Sequence, residues 1–166
     1  MPAIVLVGPM GVGKTTIGKK LAKALGLPFI DTDQVFVKEY GAITDFFEQS
    51  GETAFRDLEE TIVAQAVAQM AVVATGGGAV LSERTRTLLE ESFVVYLETD
   101  GRHMASRLSG GGRPLLKNGL ADWRRIYEGR KALYIEVANL TVDTSNTPLA
   151  KIIDQIREGI SRDERF

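Results

Sequence analysis

Gly8-Pro9-Met10-Gly11-Val12-Gly13-Lys14-Thr15 follows the apolar run Ala3-Ile4-Val5-Leu6-Val7 and precedes a stretch in which Ile17, Leu21 and Leu25 recur at i, i+4 and i+8. The octapeptide fits the phosphate-binding pattern G-x-x-x-x-G-K-[ST] in full. An uninterrupted apolar run ahead of it is what a parallel strand covered on both faces requires. Behind it, Lys19, Lys20 and Lys23 take the side opposite the apolar stripe, and Gly26 is placed to close the helix at its C′ position. Strand, glycine loop and helix N-terminus in that order bring unpaired amides and the positive end of the helix dipole to one point, where phosphate is favoured. Gly8, Gly11 and Gly13 let the backbone turn and approach phosphate without Cβ atoms; Lys14 offers a point charge to the β- and γ-phosphates and Thr15 a hydroxyl to Mg²⁺. A purely structural turn has no use for Lys-Thr at its end. The rival pattern is a dinucleotide fingerprint, with Gly11-Val12-Gly13 as G-x-G and Asp31 downstream, but Thr16 stands where the third glycine is needed. The chain is read as binding a nucleoside triphosphate.

Composition frames the rest. The 166 residues, 44% hydrophobic and 25% charged, are read as one ordinary globular domain spanning 1–166, with enough chain for a core. Twenty basic against twenty-two acidic residues leave a net charge of −2, so no global basic field argues for nucleic acid or an anionic membrane, and any anion site must be local. Without cysteine there are no disulfides and no thiol chemistry. No basic segment followed by an apolar one opens the chain, and the most apolar stretch, 66–81, is interrupted by Gln69 and three glycines. A cytoplasmic protein without a membrane partner is expected.

Strand-like runs recur at 3–7, 28–30, 71–75, 93–97 and 140–143, with helix-period segments between them. That alternation predicts an α/β fold, three layers (α/β/α) around a five-stranded parallel sheet. Between the second and third strands lies a long helical insertion, Gln34 to Tyr40, Ile43 to Gln49 and Thr53 to Met70, the last with Phe55, Leu58, Ile62, Ala66 and Met70 as its apolar stripe. Its first part, about 33–60, is the expected seat of a second substrate. The last helix is expected to start with Thr147 as N-cap and Pro148 at N1, then Leu149, Ile152, Ile153 and Ile156. The base-reading Asn-Lys-x-Asp of GTPases is absent, and the third strand ends in Thr75-Gly76-Gly77-Gly78 where a motor ATPase needs an acid. What remains is the equipment of a small kinase.

Several residues outside the loop carry chemistry. Asp31 and Asp33 flank Thr32 at strand spacing, so both carboxylates are expected to face one way, suited to hydroxyl and metal work; an N-cap acid with a solvated neighbour is the plainer alternative. Arg56 has Glu59 at i+3 as an orienting partner. In the helix predicted over 120–138 the seam runs Trp123, Ile126, position 130, Leu133, Val137, so Arg130 takes a place reserved for a hydrophobe. Either it snorkels or pairs with an internal acid, or its charge faces a cleft and binds an anion. Gly76, Gly77 and Gly78 free backbone amides to approach a ligand. Ser109-Gly110-Gly111-Gly112-Arg113-Pro114, glycines ending in a charge and a proline, reads as a closing lid over about 109–120. His103, the single histidine, is read as lying on a surface helix and builds no triad or metal cluster; Trp123, Phe46, Phe47 and Phe55 are read as core.

The phosphate loop, Asp31-Thr32-Asp33, Phe55-Arg56-Asp57-Leu58-Glu59, Gly76-Gly77-Gly78-Ala79, Arg113-Pro114-Leu115-Leu116 and Arg130-Lys131-Ala132-Leu133-Tyr134, in this order and nearly end to end, resemble the shikimate kinase family. The resemblance implies a nucleoside-monophosphate-kinase-like fold with sheet order 2-3-1-4-5. It implies transfer of the ATP γ-phosphate to the 3-hydroxyl of shikimate, giving shikimate 3-phosphate and ADP on the chorismate route to aromatic amino acids. By the resemblance Lys14, Asp33 and Arg113 are catalytic, and Gly11, Val12, Gly13, Lys14, Thr15, Thr16, Arg107 and Arg113 bind ATP. Asp33, Arg56, Gly77, Gly78 and Arg130 hold shikimate, the two arginines by its carboxylate. Mg²⁺ is implied at Thr15 and, through water, at Asp31, and the chain is expected to act as a monomer. A related small-molecule kinase such as a gluconate kinase, and a non-catalytic ATP-binding relative, are the alternatives.

Overall fold

Ile4–Val7 (β1) is buried along its whole length, which only a strand covered on both faces can be. The computed structural model, which describes residues 1–108 and 118–166, sets it at the centre of a five-stranded parallel sheet. The other strands are Phe29–Asp31 (β2), Val72–Ala74 (β3), Phe93–Glu98 (β4) and Leu140–Asp143 (β5), in the order β2-β3-β1-β4-β5 that the resemblance implies. Strand alternation divides the core in two. Ile4 and Leu6 pack with Ile17 and Leu21 of Lys14–Leu25 (α1) and with Ile152 and Ile156 of Leu149–Ser161 (α7); Val5 and Val7 pack on the other face with Ala66, Trp123 and Tyr134. Burial of each large apolar side chain contributes roughly 1.5–3 kcal/mol, so these two layers set the sheet's orientation between its helices.

The insertion consists of Thr32–Tyr40 (α2) and Ile43–Val67 (α3), whose axis breaks at Gly51 with φ 84° and ψ 170°, between the two helices expected there. A separate cluster of Phe36, Phe55 and Ile62, flanked by Phe46 and Phe47, binds α2 to α3. After β3 come a short turn at Ala79–Leu81 and Glu83–Leu88 (α4); Met104–Arg107 (α5) follows β4, and Leu120–Val137 (α6) precedes β5. The phosphate loop leaves the C-terminal end of β1 for one face of the sheet, while the chain after β3 goes to the other. Such a divergence at the carboxyl ends of neighbouring strands opens a crevice there.

Four local expectations are corrected. Met70 lies beyond the end of α3 and is 45% exposed, since the helix stops at Val67. Thr147 does not cap α7: its hydroxyl donates to the carbonyls of Asp143 and Ser145, and Pro148 holds the cap position in extended conformation. The buried seam of α6 is Trp123, Tyr127, Arg130, Tyr134, with Ile126, Leu133 and Val137 only partly covered. His103 is the residue before α5 rather than within a helix, and its Nε2 lies 3.3 Å from Asn146 Oδ1. No helix among the described residues is long and apolar enough to cross a membrane.

Candidate active site

Gly13 is the N-cap of α1 at φ 105°, and a Cβ at Gly8, whose φ is 150°, would lie 2.6 Å from the Leu97 carbonyl. Glycine at both positions is what lets the loop curl over the helix N-terminus. The loop's carbonyls are held from beneath. Lys14 Nζ donates to Gly8 O (2.7 Å) and Pro9 O (3.0 Å), Trp123 Nε1 to Met10 O (2.8 Å) and Arg107 Nη1 to Gly11 O (3.0 Å). With its carbonyls turned toward these donors, the loop is free to present amides to an anion. A cavity of about 690 Å³ opens above it, lined by the loop from Met10 to Ile17, by Asp31 and Asp33, and by Arg107, Thr144 and Thr147.

Asp31 and Asp33 do not share a strand face. Asp31 ends β2 and caps α2, its Oδ1 accepting the amides of Asp33 (3.0 Å) and Gln34 (3.3 Å), while Asp33 sits in the first helical turn. A strand of three residues that turns straight into a helix has no room for alternation. Asp31 is thus the capping acid of the plainer alternative, but its other oxygen accepts from Thr15 Oγ1 at 2.7 Å, which ties it to the phosphate loop. Asp33 is no solvated neighbour: burial pushes its carboxyl above the usual range, Asp31 adds to that, and Lys14 and Arg56 oppose it.

Beside Asp33 a second set of groups converges on Gly76–Gly78. A Cβ at Gly76 would lie 2.7 Å from Asp33 Oδ1 and 2.9 Å from Glu59 Oε2, one at Gly77 would lie 3.5 Å from Arg130 Nη1, and one at Gly78 would overlap the Arg56 guanidinium. Absent side chains here are what admit two acids and two arginines to one loop. Arg56 Nη1 pairs with Glu59 Oε1 at 2.8 Å and its Nε with Glu52 at 3.3 Å. Glu59 is 5% exposed and its Oε2 has no hydrogen-bond partner among the described residues; burial raises its pKa, against the pull of Arg56. Arg130 is 7% exposed, and no carboxylate among the described residues pairs with it. Burial lowers its pKa, partly offset by Tyr134, yet an arginine keeps its charge. A buried guanidinium that has the Tyr134 hydroxyl but no carboxylate beside it, next to a second guanidinium, has the chemistry to receive an anion.

Gly11, Val12, Gly13, Lys14, Thr15, Thr16, Asp31, Asp33 and Arg107 therefore line one cavity, and Arg56, Gly77, Gly78 and Arg130 adjoin it at Asp33. Arg113 and most of the expected lid fall on 109–117, outside the described residues. Missed by sequence reasoning were two residues of α6. Trp123, read as plain core, braces the phosphate loop, and Tyr134 donates its hydroxyl to Gly77 O at 2.6 Å. Their spacing along one helix face with Arg130 was the available signal.

The model of the shikimate kinase family matches residues 10–161. The chain belongs to that family. A shikimate kinase of Rhodococcus jostii is 41% identical over 93% of this chain and 95% of its own, and one of Streptomyces coelicolor 46% identical over 86% of each. Among solved structures, a shikimate kinase from Acinetobacter baumannii in complex with shikimate superposes with a TM-score of 0.93 at 36% identity, covering 99% of this chain and 95% of that one. A gluconokinase from Sinorhizobium meliloti, 24% identical with a TM-score of 0.67 over 96% of this chain and 91% of its own, shares the fold. The chain is accordingly an enzyme, an ATP-dependent kinase, and the family expectation stands over the gluconate-kinase and non-catalytic alternatives.

Proposed function

We propose that this cleft transfers the γ-phosphoryl group of ATP to the 3-hydroxyl of shikimate, producing shikimate 3-phosphate and ADP on the chorismate route. The observation that carries the reading is Arg130, buried and without a carboxylate of its own, beside Arg56 and within one loop of Asp33. Two guanidiniums offer an acceptor's carboxylate bidentate bonds, which orients the ring so that a hydroxyl reaches Asp33. Asp33 then accepts or orients the hydroxyl's proton; its raised pKa brings it nearer the range in which a general base works. Gly77 and Gly78 contribute backbone contacts to the acceptor.

On the donor side the loop amides of Gly11 to Thr16 bind phosphate oxygens, Lys14 carries charge to the transferring group, and Arg107, with the Thr144 and Thr147 edge of the cavity, faces the adenine end. Arg113 is assigned to the transferring phosphoryl group by the family motif. Thr15 Oγ1 and Asp31 Oδ2, hard oxygens 2.7 Å apart at the cavity wall, fit Mg²⁺, a cation that keeps most of its waters; no cluster of three acidic, histidine or cysteine ligands occurs among the described residues. Bound there, Mg²⁺ would neutralise phosphate charge. The reading is tested by coupled ADP release with shikimate, with gluconate and without acceptor. Release that depends on shikimate alone is expected; release dependent on gluconate, or none with either, refutes it.

A further inference from the structure

Gly77 and Gly78 are buried, and among the described residues none of the amides of Gly76, Gly77 and Gly78 donates to a protein group. Buried amides are nearly always paired in folded proteins, so three in succession without a protein acceptor need an external one. What holds the loop in this posture comes from α6. Tyr134, 1% exposed, donates to the Gly77 carbonyl at 2.6 Å, and burial pushes its hydroxyl up to about 12, so it remains a donor throughout the physiological range. Its ring stacks on Tyr96, whose centroid is 5.3 Å away at 26°, so the hydroxyl is held by core packing on a strand of the sheet. The peptide bonds are trans, and in a trans peptide the carbonyl and the following amide point in opposite directions. Drawing the Gly77 carbonyl toward α6 therefore turns the Gly78 amide away from α6, at a residue against which the Arg56 guanidinium packs so closely that a Cβ would overlap it.

We propose that Tyr134 is a positioning residue for the acceptor, fixing the Gly77–Gly78 peptide plane so that the Gly78 amide donates to the acceptor alongside Arg56 and Arg130. The inference rests on the reading of this half of the cleft as the shikimate site. Arg130 lies one helical turn before Tyr134 on the same face of α6, so one rigid element carries both the guanidinium and the clamp on the loop. Trp123 holds Met10 from that face too, and the Met10 amide lies 3.4 Å from where a Gly77 Cβ would be. Helix α6 thus sets the acceptor loop against the phosphate loop.

Tyr134→Phe removes the hydroxyl and keeps the stacked ring. With the peptide plane released, one backbone hydrogen bond to the acceptor is lost, and the shikimate KM should rise about tenfold, while the ATP KM stays within about twofold. An unchanged shikimate KM overturns the proposal, as does an equal rise in both KM values accompanied by a lowered Tm, the pattern of a merely structural role. Wild-type enzyme in the same assay separates the two levels: if it releases no ADP on addition of shikimate, the acceptor reading itself fails, whatever the variant does. Should the variant not fold, the wild-type Gly78 amide decides. Its proton resonance must shift on titration with shikimate, and a resonance that stays fixed at saturation overturns the proposal.

Discussion

Arg130→Met separates an arginine kept for a ligand from one kept for the fold. In the free protein Arg130 is 7% exposed and has no carboxylate partner among the described residues, so its charge pays a desolvation cost that no ion pair offsets. Replacing a buried charge with an apolar side chain of similar length is commonly neutral or stabilising, by about 1 kcal/mol or more. For a domain of this size that raises Tm by roughly 2–4 °C. In the proposed shikimate complex the same guanidinium would form a charge-assisted bond whose removal costs about 2–5 kcal/mol, about 30-fold to a few thousandfold in Kd. Arg56 behaves in the opposite way in the free protein. Its guanidinium lies 2.8 Å from Glu59, and Arg56→Met strands that carboxylate at 5% exposure, a loss of about 3 kcal/mol on the scale of broken buried pairs. Both variants should lose shikimate affinity, but only Arg56→Met should lose stability. Calorimetric titration with shikimate and thermal unfolding without ligand measure the two quantities. Arg130→Met with wild-type shikimate affinity, or with a Tm lowered as far as that of Arg56→Met, refutes the reasoning.

Asp33→Asn keeps the shape and one acceptor but removes the charge that polarises the hydroxyl, so kcat should fall about 10²-fold or more with the nucleotide Kd unchanged; wild-type kcat at saturating substrates refutes the role. Glu59 gives a pH dependence of known sign: its folded pKa lies above the ordinary 4.5, so in that window the folded state holds a proton the unfolded chain has released, and stability falls as pH rises. Glu59→Gln should therefore flatten the decline of the urea-derived unfolding free energy from pH 4.5 towards neutrality, both by removing the titration of Glu59 itself and by relieving its repulsion of Asp33. An unchanged slope dismisses Glu59 as its source.

The half of the site that binds nucleotide was legible because its information is local. Glycines at Gly8, Gly11 and Gly13 mark the positive-φ positions, and Lys14 and Thr15 stand next to them in the chain. The sheet was legible for a related reason, since β1, β3 and most of β4 are buried on both faces and so read as unbroken apolar runs. Asp31 and Asp33 were misjudged in geometry because strand periodicity was carried one residue too far; an acid followed by Thr32, Asp33 and Gln34 is also a helix N-cap, and α2 begins there. The seam of α6 was half right. The expected pattern 123, 126, 130, 133, 137 and the observed 123, 127, 130, 134 both contain Trp123 and Arg130, and differ only over which neighbours accompany them. The observed neighbours are tyrosines, which hydrophobic periodicity discounts even though their rings bury as well as any aliphatic chain.

What no local pattern could supply is the cross-bracing. Trp123 reaches Met10 across 113 positions of chain and Tyr134 reaches Gly77 across 57, so neither bond leaves a trace in any window of sequence. On the reading proposed above, these bonds set where the two substrates stand relative to each other. Phosphoryl transfer asks little covalent chemistry of the protein and depends on holding donor and acceptor in line. The charged residues assigned to ligands were recognisable by type and motif, whereas the aromatic donors that hold the neighbouring loop backbones look, in sequence, like core. A helix whose buried face alternates aromatic donors with a lone arginine is therefore better read as scaffold for a site than as a hydrophobic seam with one misplaced charge.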